Sequence, residues 1–442
     1  MTQRLFGTDG IRGVANADLT PELALRLGRA AGHILGGHGE RVVIGRDTRR
    51  SGRMLESALA AGLCSVGVEV RLVGHIPTPG LAHITRTGDH EAGAVISASH
   101  NPAPDNGIKF FDHRGLKLPD ATEDAIEAAM RDEAGLPRPT EGGIGLVGDD
   151  RGLVKEYEDR LVQLAPPLQG VKVVLDCANG ATYRVAPAVF LAAGATVRVL
   201  NDRPDGLNIN AGCGSNHPER MQQTVVDEGA DIGFAFDGDG DRVVIADHTG
   251  TLHDGDTVLA IAARHFARAG RLVPKLVVGT VMTNGGMEAT LKRDGIAVVR
   301  TQVGDRYVWE ELERQDAQFG GEPSGHVIFR GYSTTGDGIL TALELLHFLK
   351  AEGRTLDALA AEIERWPQIT RNVKAPRRRE WQDGSFGELV LRAQEELSGA
   401  GRLVVRPSGT EPVLRITVEA REPGVAERVA DRLAAAAAEA LA

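Results

Sequence analysis

The acidic loop FDGDGDR at residues 236–242 carries three aspartates separated by single glycines. On an extended backbone this spacing points the side chains of Asp237, Asp239 and Asp241 to one side, and the glycines let the loop fold tightly. Carboxylates about 5 Å apart repel one another by roughly 3 kcal/mol per pair at an effective dielectric constant of about 20. A bound divalent cation would remove that repulsion. On this loop alone, a solvated acidic turn remains the alternative.

The residues that follow narrow the choice of cation. A calcium-binding EF-hand also begins with alternating aspartates, but it needs glycine at its sixth position and glutamate at its twelfth. Those positions hold Arg242 and His248 here. The loop offers only a few carboxylate oxygens as ligands. This suits Mg²⁺, which often takes its other ligands from water and phosphate. The loop therefore predicts Mg²⁺ with a phosphate group beside it.

A second polar loop closes the strand-like run AGAVIS at residues 92–97 and continues as ASHNPAP. Ser99 stands beside His100 there, and the nearby prolines restrict the backbone. Adjacent residues rarely point at each other, and the spacing fixes no aspartate that would complete a catalytic triad. Taken alone, the serine could be a nucleophile, a helix cap or part of a polar turn. Together with the acidic loop, the pattern indicates that His100 shapes the loop and that Ser97 supplies polarity at the end of the strand. The basic residues expected within reach of an anion here are Lys109, in NGIKFF, and Arg12, in FGTDGIRG.

Two further polar turns have the composition of ligand-binding loops. The turn RPSGTEPVLR offers backbone N–H groups, hydroxyls and arginines that suit a phosphate dianion, and it lacks the lysine of an NTPase phosphate loop. Its candidate residues are Arg406, Ser408, Gly409, Thr410 and Arg415. The turn GEPSGH can form hydrogen bonds with sugar hydroxyls or an amine through Glu322, Ser324 and His326. Taken singly, each is also compatible with an ordinary hairpin or capped turn.

Strand-like and helix-like segments alternate through most of the chain, as in α/β proteins with largely parallel sheets. Three successive units have a similar order, and each delivers a glycine-rich polar loop after a strand. Residues 134–150 are rich in glycine and proline without periodicity, which predicts a linker. From about Trp366 the pattern changes to a small α+β unit. The predicted domains are 1–150 with the serine loop, 151–252 with the acidic loop, 253–366 with the GEPSGH turn and 367–442 with the RPSGTEP turn.

Composition excludes several classes of protein. The chain has 442 residues, too many for one core, and its net charge of −11 argues against a general nucleic-acid or membrane surface. No run of 18 apolar residues and no apolar signal core occurs. The three cysteines are far apart and match no disulfide or metal-binding pattern. We therefore expect a cytoplasmic, multidomain protein whose partners are small molecules.

Six motifs, taken in order, resemble those of the α-D-phosphohexomutase superfamily across essentially the whole chain. They are FGTDGIRG, SASHNP, NGIK, DGDGDR, GEPSGH and RPSGTEP. The first and last motifs and the chain length resemble in particular the bacterial branch that acts on glucosamine phosphates. Pro323 departs from the pattern, since glutamine or methionine is expected there. The resemblance implies three similar mixed-sheet α/β domains and a smaller, mobile α+β C-terminal domain around a central cleft, and it is compatible with a homodimer.

The resemblance also implies an isomerase mechanism. Ser99 carries an activating phosphoryl group, and one Mg²⁺ is held by a phosphate oxygen on Ser99 and by Asp237, Asp239 and Asp241. The phosphoserine gives its phosphoryl group to glucosamine 6-phosphate, the 1,6-bisphosphate reorients, and the C6 phosphate returns to Ser99. Glucosamine 1-phosphate, a precursor for UDP-N-acetylglucosamine and the cell wall, is left. Either glucosamine 1,6-bisphosphate or glucose 1,6-bisphosphate serves as activator.

The same resemblance assigns roles to the other loops. Arg12, Lys109 and Arg242 stabilise charge on the transferring group, and Lys109 or His326 helps with protons. GEPSGH binds the sugar, and RPSGTEP holds the phosphate that does not react. Three alternatives stay open: the same chemistry on glucose or mannose phosphates, a metal-dependent sugar phosphatase, and a binding protein that has lost catalysis.

Overall fold

The structure is a computed structural model that describes residues 4–7, 9–408 and 412–441. The strands form four sheets of six, five, four and three strands. No helix in the described part of the chain is long and apolar enough to span a lipid bilayer. The three cysteines are free and buried.

The first sheet has the strand order β1-β5-β4-β2-β3-β6. Its strands are β1 (Ile11–Val14), β2 (Arg41–Arg46), β3 (Glu69–His75), β4 (Ala92–Ile96), β5 (Asp105–Asp112) and β6 (Val147–Asp149), and its helices are α1 (Pro21–Leu35), α2 (Gly52–Cys64), α3 (Thr78–Thr87) and α4 (Asp120–Arg131). Alternate strand residues face opposite sides, so Val42 and Ile44 pack with α1, α2 and α4, whereas Val43 packs with α3. The sheet is therefore covered on both faces.

Strand β6 lies inside the segment predicted to be a linker. Val147–Asp149 pairs in parallel with β3, so part of the predicted linker over 134–150 forms an edge strand of the first sheet. The segment also contains short 3₁₀ turns at Glu133–Gly135 and Glu141–Gly143. A three-residue strand at the edge of a sheet leaves no hydrophobic alternation to detect, because Leu146 and Val147 are exposed.

The second sheet has the order β11-β10-β9-β7-β8. Its elements are α5 (Leu153–Leu164), β7 (Lys172–Asp176), α6 (Val185–Ala192), β8 (Thr196–Leu200), α7 (Glu219–Glu228), β9 (Ile232–Phe236), β10 (Val243–Asp247) and β11 (Leu252–His253). The third sheet has the order β13-β12-β14-β15. Its elements are α8 (Gly255–Arg268), β12 (Leu276–Thr280), α9 (Gly285–Arg293), β13 (Ala297–Thr301), α10 (Asp305–Gln315), β14 (Phe319–Gly321), β15 (Val327–Phe329), α11 (Gly338–Glu352) and α12 (Leu356–Ala360).

The last sheet is antiparallel and has the order β16-β18-β17. Its elements are β16 (Gln368–Lys374), α13 (Gly384–Leu397), β17 (Gly401–Pro407), β18 (Val413–Ala420) and α14 (Pro423–Ala440). Helices α13 and α14 pack on it through Phe386, Val390, Val429 and Leu433. The predicted fold class, three mixed-sheet α/β domains followed by a smaller α+β domain, is confirmed.

The first three sheets share one plan. The strand orders β5-β4-β2-β3, β10-β9-β7-β8 and β15-β14-β12-β13 correspond strand for strand, and the first pair in each is antiparallel while the other two are parallel. The serine loop, the acidic loop and the GEPSGH turn each connect the antiparallel pair in their own domain. The three loops therefore occupy equivalent positions at the carboxyl ends of β4, β9 and β14.

Backbone hydrogen bonds between domains bring these loops together. Thr78 N, at the start of α3, donates to Asp239 O (2.8 Å). Val243 N donates to Gly325 O (3.2 Å), and Gly338 N donates to Gly240 O (3.0 Å). The acidic loop of the second domain is thus held by both of its neighbours.

Candidate active site

Ser99 lies three residues beyond the end of the fully buried strand β4, and its side chain faces the acidic loop. Its Oγ donates a hydrogen bond to Asp237 Oδ2 (2.5 Å). The residue is 1% exposed and has a φ of +49°, a left-handed conformation that is uncommon for serine. The structure therefore brings together the serine and the first aspartate, which are 138 residues apart in the sequence.

Ser97 and Asp47 hold the start of the serine loop. Ser97 Oγ accepts a hydrogen bond from Ser99 N (2.9 Å) and donates one to Asp47 Oδ2 (2.6 Å). Ser97 and Asp47 are both fully buried. Ser97 was expected to supply polarity at the end of the strand. Its hydroxyl does more than that, because it holds the backbone N–H of Ser99 in place.

His100 lies beside Ser99, with its Nδ1 3.3 Å from Ser99 Oγ. Burial lowers the pKa of His100 to about 4, and the charges of Arg242 and Arg12 act in the same direction. The imidazole is therefore neutral near pH 7. A triad is not formed with it, since the carboxylate beside Ser99 contacts the serine itself.

The three aspartates of the acidic loop form a compact buried cluster. Each offers a carboxylate oxygen within 4.8 Å of those of the other two. Asp239 Oδ1 and Asp241 Oδ1 are buried and have no hydrogen-bond partner among the described residues. Burial raises the pKa of Asp237 well above its usual range, and the charges of Asp241 and Asp239 add to the effect. A divalent cation would provide a partner for the buried carboxylate oxygens and would relieve the repulsion among the three aspartates. The residues therefore fit such an ion.

Thr78 fixes the second aspartate of this cluster. Its Oγ1 donates to Asp239 Oδ2 (2.7 Å) across the boundary between the first two domains. Lys109, on β5 opposite Val95, reaches the same oxygen with its Nζ (3.2 Å). Lys109 thus reaches the acidic loop that faces Ser99, whereas Thr78 carried no signal in the sequence.

A chain of ion pairs runs from Lys109 into the third domain. Lys109 Nζ lies 3.2 Å from Asp9 Oδ2, and Lys117 Nζ lies 2.5 Å from Asp9 Oδ1 and 2.7 Å from Asp305 Oδ2. Arg12 also pairs with Asp9. Burial opposes the charge on Asp9, but Lys109, Lys117 and Arg12 outweigh it and hold the pKa of Asp9 well below its usual range.

His326 lies between this chain and the acidic loop. Gly336 N donates to its Nε2 (2.9 Å), which places the ring proton on Nδ1, 3.5 Å from Asp241 Oδ2. His326 Nε2 is also 3.8 Å from Asp305 Oδ2. Both ring nitrogens thus face protein groups, and the residue braces Asp241.

Two arginines lie near the serine loop, since the charges of Arg242 and Arg12 act on His100. Arg242 Nε is 3.8 Å from Asp241 Oδ1. Burial opposes its charge, but Asp241 and Asp237 raise the pKa of Arg242 above its usual value. The Nε atoms of Arg12 and Arg242 are buried without a hydrogen-bond partner among the described residues. Both guanidinium groups therefore retain a donor for an anion.

The GEPSGH turn is tight because of Gly325. That residue has a φ of +88°, and a Cβ there would lie 2.0 Å from Val243 O. Glu322 is buried, and its Oε1 accepts from Gly304 N (3.1 Å), whereas Ser324 is exposed at the tip. Pro323, the residue that departs from the resembling pattern, is half-buried beside it.

The RPSGTEP turn joins β17 to β18. Arg406 and Arg415 are directly opposite each other across the two strands, so their side chains lie on the same face. Burial lowers the pKa of Arg406, Arg415 lowers it further, and the nearby Glu322 raises it. Ser408 N donates to Val413 O (2.8 Å), while Gly409 and Thr410 lie outside the described residues. Two cations placed side by side suit a phosphate dianion.

Arg378 and Asp305 are further residues near these loops that motif reasoning did not single out. Arg378 Nε donates to Ser408 O (2.9 Å). The basic run RNVKAPRRRE signalled charge there without identifying a residue. Asp305 begins α10 and gave no signal, because its ion-pair partner Lys117 lies in another domain.

Comparisons with known proteins cover the whole chain. Four phosphoglucomutase/phosphomannomutase family models match: alpha/beta/alpha domain I at residues 3–135, domain II at 155–250, domain III at 254–366 and the C-terminal domain at 350–436. The chain is 51% identical over 436 residues to a phosphoglucosamine mutase of Desulforamulus reducens, covering 98% of each chain. It is also 51% identical over 434 residues to one of Desulforudis audaxviator, covering 97% of this chain and 96% of that protein.

A solved structure shows the same arrangement of domains. The crystal structure of a phosphoglucomutase/phosphomannomutase family protein from Burkholderia thailandensis matches with a TM-score of 0.84 and 26% identity. The match covers 100% of this chain and 99% of that one.

Proposed function

The chain belongs to the phosphoglucomutase/phosphomannomutase family, and from this membership we propose that it interconverts glucosamine 6-phosphate and glucosamine 1-phosphate. Its bacterial relatives that are named phosphoglucosamine mutase share about half of its residues over nearly the full length. The observation that carries the proposal is the 2.5 Å hydrogen bond from Ser99 Oγ to Asp237, inside a buried cluster of three aspartates. A serine in that position can carry a phosphoryl group next to a cation site.

Asp237, Asp239 and Asp241 would hold one Mg²⁺, with a phosphate oxygen on Ser99 as a further ligand. When bound, the ion neutralises charge on the transferring phosphoryl group. Its preference over Ca²⁺ follows from the small number of protein oxygens. The protein's own contribution is to hold these oxygens: Thr78 and Lys109 fix Asp239, and His326 faces Asp241.

In the first half-reaction, phosphoserine gives its phosphoryl group to the C1 hydroxyl of glucosamine 6-phosphate. The Oγ–P bond breaks as the bond from phosphorus to the sugar oxygen forms, and a 1,6-bisphosphate results. The sugar hydroxyl loses one proton and Ser99 Oγ gains one, so the step is balanced. Arg12, Lys109 and Arg242 stabilise the negative charge on the phosphoryl group, since such transfers depend on positioning and electrostatics.

The bisphosphate then reorients, and its C6 phosphoryl group is transferred to Ser99. In each half-reaction Arg406 and Arg415 hold the phosphate that does not react, together with Ser408, Gly409 and Thr410. Glu322 and Ser324 bind the sugar, and His326 supports that turn. The charge of Glu322 acts on Arg406, which supports a phosphate site in the last domain beside the sugar-binding turn of the third.

A direct comparison of substrates tests the assignment. The 6-phosphates of glucosamine, glucose and mannose are assayed with a trace of glucose 1,6-bisphosphate, which primes Ser99. We expect the highest kcat/KM for glucosamine 6-phosphate. A higher value for glucose or mannose 6-phosphate would overturn the substrate but keep the mutase chemistry, and steady release of inorganic phosphate would indicate a phosphatase instead.

A further inference from the structure

The backbone carbonyls of the serine loop point away from the cleft toward a buried arginine. Arg49 is 1% exposed, and its guanidinium donates to Ser99 O (3.0 Å), Asn101 O (2.8 Å) and Asp105 O (3.0 Å) as well as to Pro102 O. One side chain thus satisfies three carbonyls of the serine loop and that of Asp105 at the start of β5. Its own orientation is fixed by Asp47, which accepts from Arg49 Nε (2.9 Å).

A second donor reaches two of the same carbonyls from the other side. Asn210 Nδ2 donates to Ser99 O (2.8 Å) and to Asn101 O (2.9 Å). Asn210 belongs to the long polar loop between β8 and α7 in the second domain, to which the proposed function gives no role. Its backbone is fixed as well, because its N donates to Ala178 O (2.9 Å) and its φ is +57°.

The acidic loop packs directly against this arrangement. A Cβ at Gly238 would lie 2.5 Å from Ser99 O and 2.8 Å from Asn210 Nδ2. Glycine is therefore required there by close approach, between the first two aspartates of the cluster. The carbonyl of Ser99 is enclosed by Arg49, Asn210 and Gly238, which come from three separate segments of two domains.

We propose that Asn210 and Arg49 are positioning residues that clamp the Ser99 carbonyl and so hold Ser99 Oγ against the acidic cluster. This inference rests on the proposed phosphoserine chemistry. Ser99 has a left-handed backbone that a serine rarely adopts, so external contacts must maintain it. Because Asn210 comes from the second domain and Arg49 from the first, the serine is aligned only while these two domains are docked.

The isosteric change Asn210→Asp tests the clamp. Aspartate has the same shape as asparagine and also tolerates a positive φ. However, the N–H donor of Asn210 is replaced by a carboxylate oxygen that faces the carbonyl oxygens of Ser99 and Asn101. A displacement of the nucleophile by about 1 Å costs on the order of 100-fold in rate. We therefore expect kcat and the rate of Ser99 phosphorylation by glucose 1,6-bisphosphate to fall roughly 100-fold, while KM for the sugar phosphate changes less than about threefold.

The matched control is Asn208→Asp, the same change two residues earlier in the same loop. Asn208 Nδ2 donates to Arg203 O, and within the described part of the chain the Asn208 side chain forms no hydrogen bond with the serine loop. This variant should keep the wild-type kcat and rate of phosphorylation. Circular dichroism and the unfolding midpoint of both variants show that the fold is retained.

The outcomes separate this inference from the proposed function. One outcome is that the wild-type enzyme turns over and is phosphorylated on Ser99, while kcat and the phosphorylation rate of Asn210→Asp lie within about twofold of the wild-type values. The clamp is then refuted and the mutase assignment stands. An equal loss in Asn210→Asp and Asn208→Asp also refutes the clamp, because the loop would then matter only for folding. If wild-type Ser99 is never phosphorylated, the proposed function fails first.

Discussion

Lys117 lies between acidic side chains of two domains, and its replacement by methionine tests how the domains hold the site. Its Nζ is 2.5 Å from Asp9 Oδ1 and 2.7 Å from Asp305 Oδ2, and its side chain is 12% exposed. Asp9 contacts Lys109 and Arg12 in the first domain, and Asp305 lies near His326 in the third. Loss of this cation leaves Asp305 without its nearest ion-pair partner among the described residues.

The size of the effect follows from these distances. At an effective dielectric constant of about 20, unit charges 2.7 Å apart attract by about 6 kcal/mol, and desolvation offsets much of that. Removal of one member of a buried pair costs about 3–5 kcal/mol, because the remaining charge is unpaired. We expect Lys117→Met to destabilise the protein by an amount in that range. The double variant Lys117→Met/Asp305→Asn should recover about 2 kcal/mol, since Asp9 retains Lys109 and Arg12.

A double-mutant cycle measures this coupling. Urea unfolding is followed by circular dichroism and by tryptophan fluorescence, to which Trp309 contributes together with Trp366 and Trp381. Trp309 lines the same small cavity as Lys117 and Asp305. The control is Arg114→Met: Arg114 also lines that cavity, but its side chain is 57% exposed and pairs with Asp112. Exposed pairs of this kind contribute about 0–1 kcal/mol. Lys117→Met should also lower kcat, because Asp9, which contacts Lys109, and Asp305, which lies near His326, lose their shared cation, whereas Arg114→Met should not.

A coupling energy below about 0.5 kcal/mol between Lys117 and Asp305 would refute this account of how the first and third domains are joined. An effect of Arg114→Met as large as that of Lys117→Met would refute it too. In that case the cavity as a whole, and not the ion pairs, would determine the stability of the interface.

Three further predictions concern single residues. Gly238→Ala should lower kcat at least 10-fold, because its Cβ would lie 2.5 Å from Ser99 O. The control is Gly142→Ala, whose Cβ would lie in open space and which should leave kcat unchanged. Equal kcat values for the two variants would contradict the close packing at Gly238. Burial, together with the charges of Asp254 and Glu419, raises the pKa of Asp256 to about 8. The folded state therefore binds the proton of the Asp256 carboxyl group more tightly than the unfolded chain does. As pH rises from about 4 to 8 this difference is lost, and the free energy of unfolding falls. Asp256→Asn should therefore have an unfolding midpoint that exceeds the wild-type value increasingly between about pH 5 and pH 8; a difference that does not change with pH would contradict the assignment. Arg415→Ala should raise KM for the sugar phosphate about 10- to 100-fold and alter Ser99 phosphorylation less; an unchanged KM would mean that the phosphate is held elsewhere.

The loops that carry chemistry could be predicted because each one is a short, local pattern. DGDGD places three carboxylates together by spacing alone, and a buried run such as AGAVIS must end in a turn. The repeated order of strands and helices likewise follows from local hydrophobic patterns. These features depend on residues close together in the sequence, where periodicity and turn chemistry act.

The residues that hold the loops could not be predicted in the same way. Lys117 and Asp305 are 188 residues apart, and Asn210 reaches a serine loop 111 residues away. A lysine, an aspartate or an asparagine in a polar segment is usually solvated, so its burial becomes visible only when the domains pack together. Strand β6 was missed for a related reason, since a short edge strand is defined by the partner with which it pairs.

The phosphorylation of Ser99 is the most direct test of the proposed reaction. The wild-type protein and Ser99→Ala are incubated with glucose 1,6-bisphosphate and Mg²⁺, analysed by intact mass and peptide mass spectrometry, and then mixed with glucosamine 6-phosphate. We predict one phosphoryl group on the Ser99 peptide of the wild type, its transfer to the sugar at least as fast as turnover, and neither event in Ser99→Ala. Substantial mutase activity in Ser99→Ala, or transfer of the phosphoryl group to water in preference to the sugar, would contradict the account.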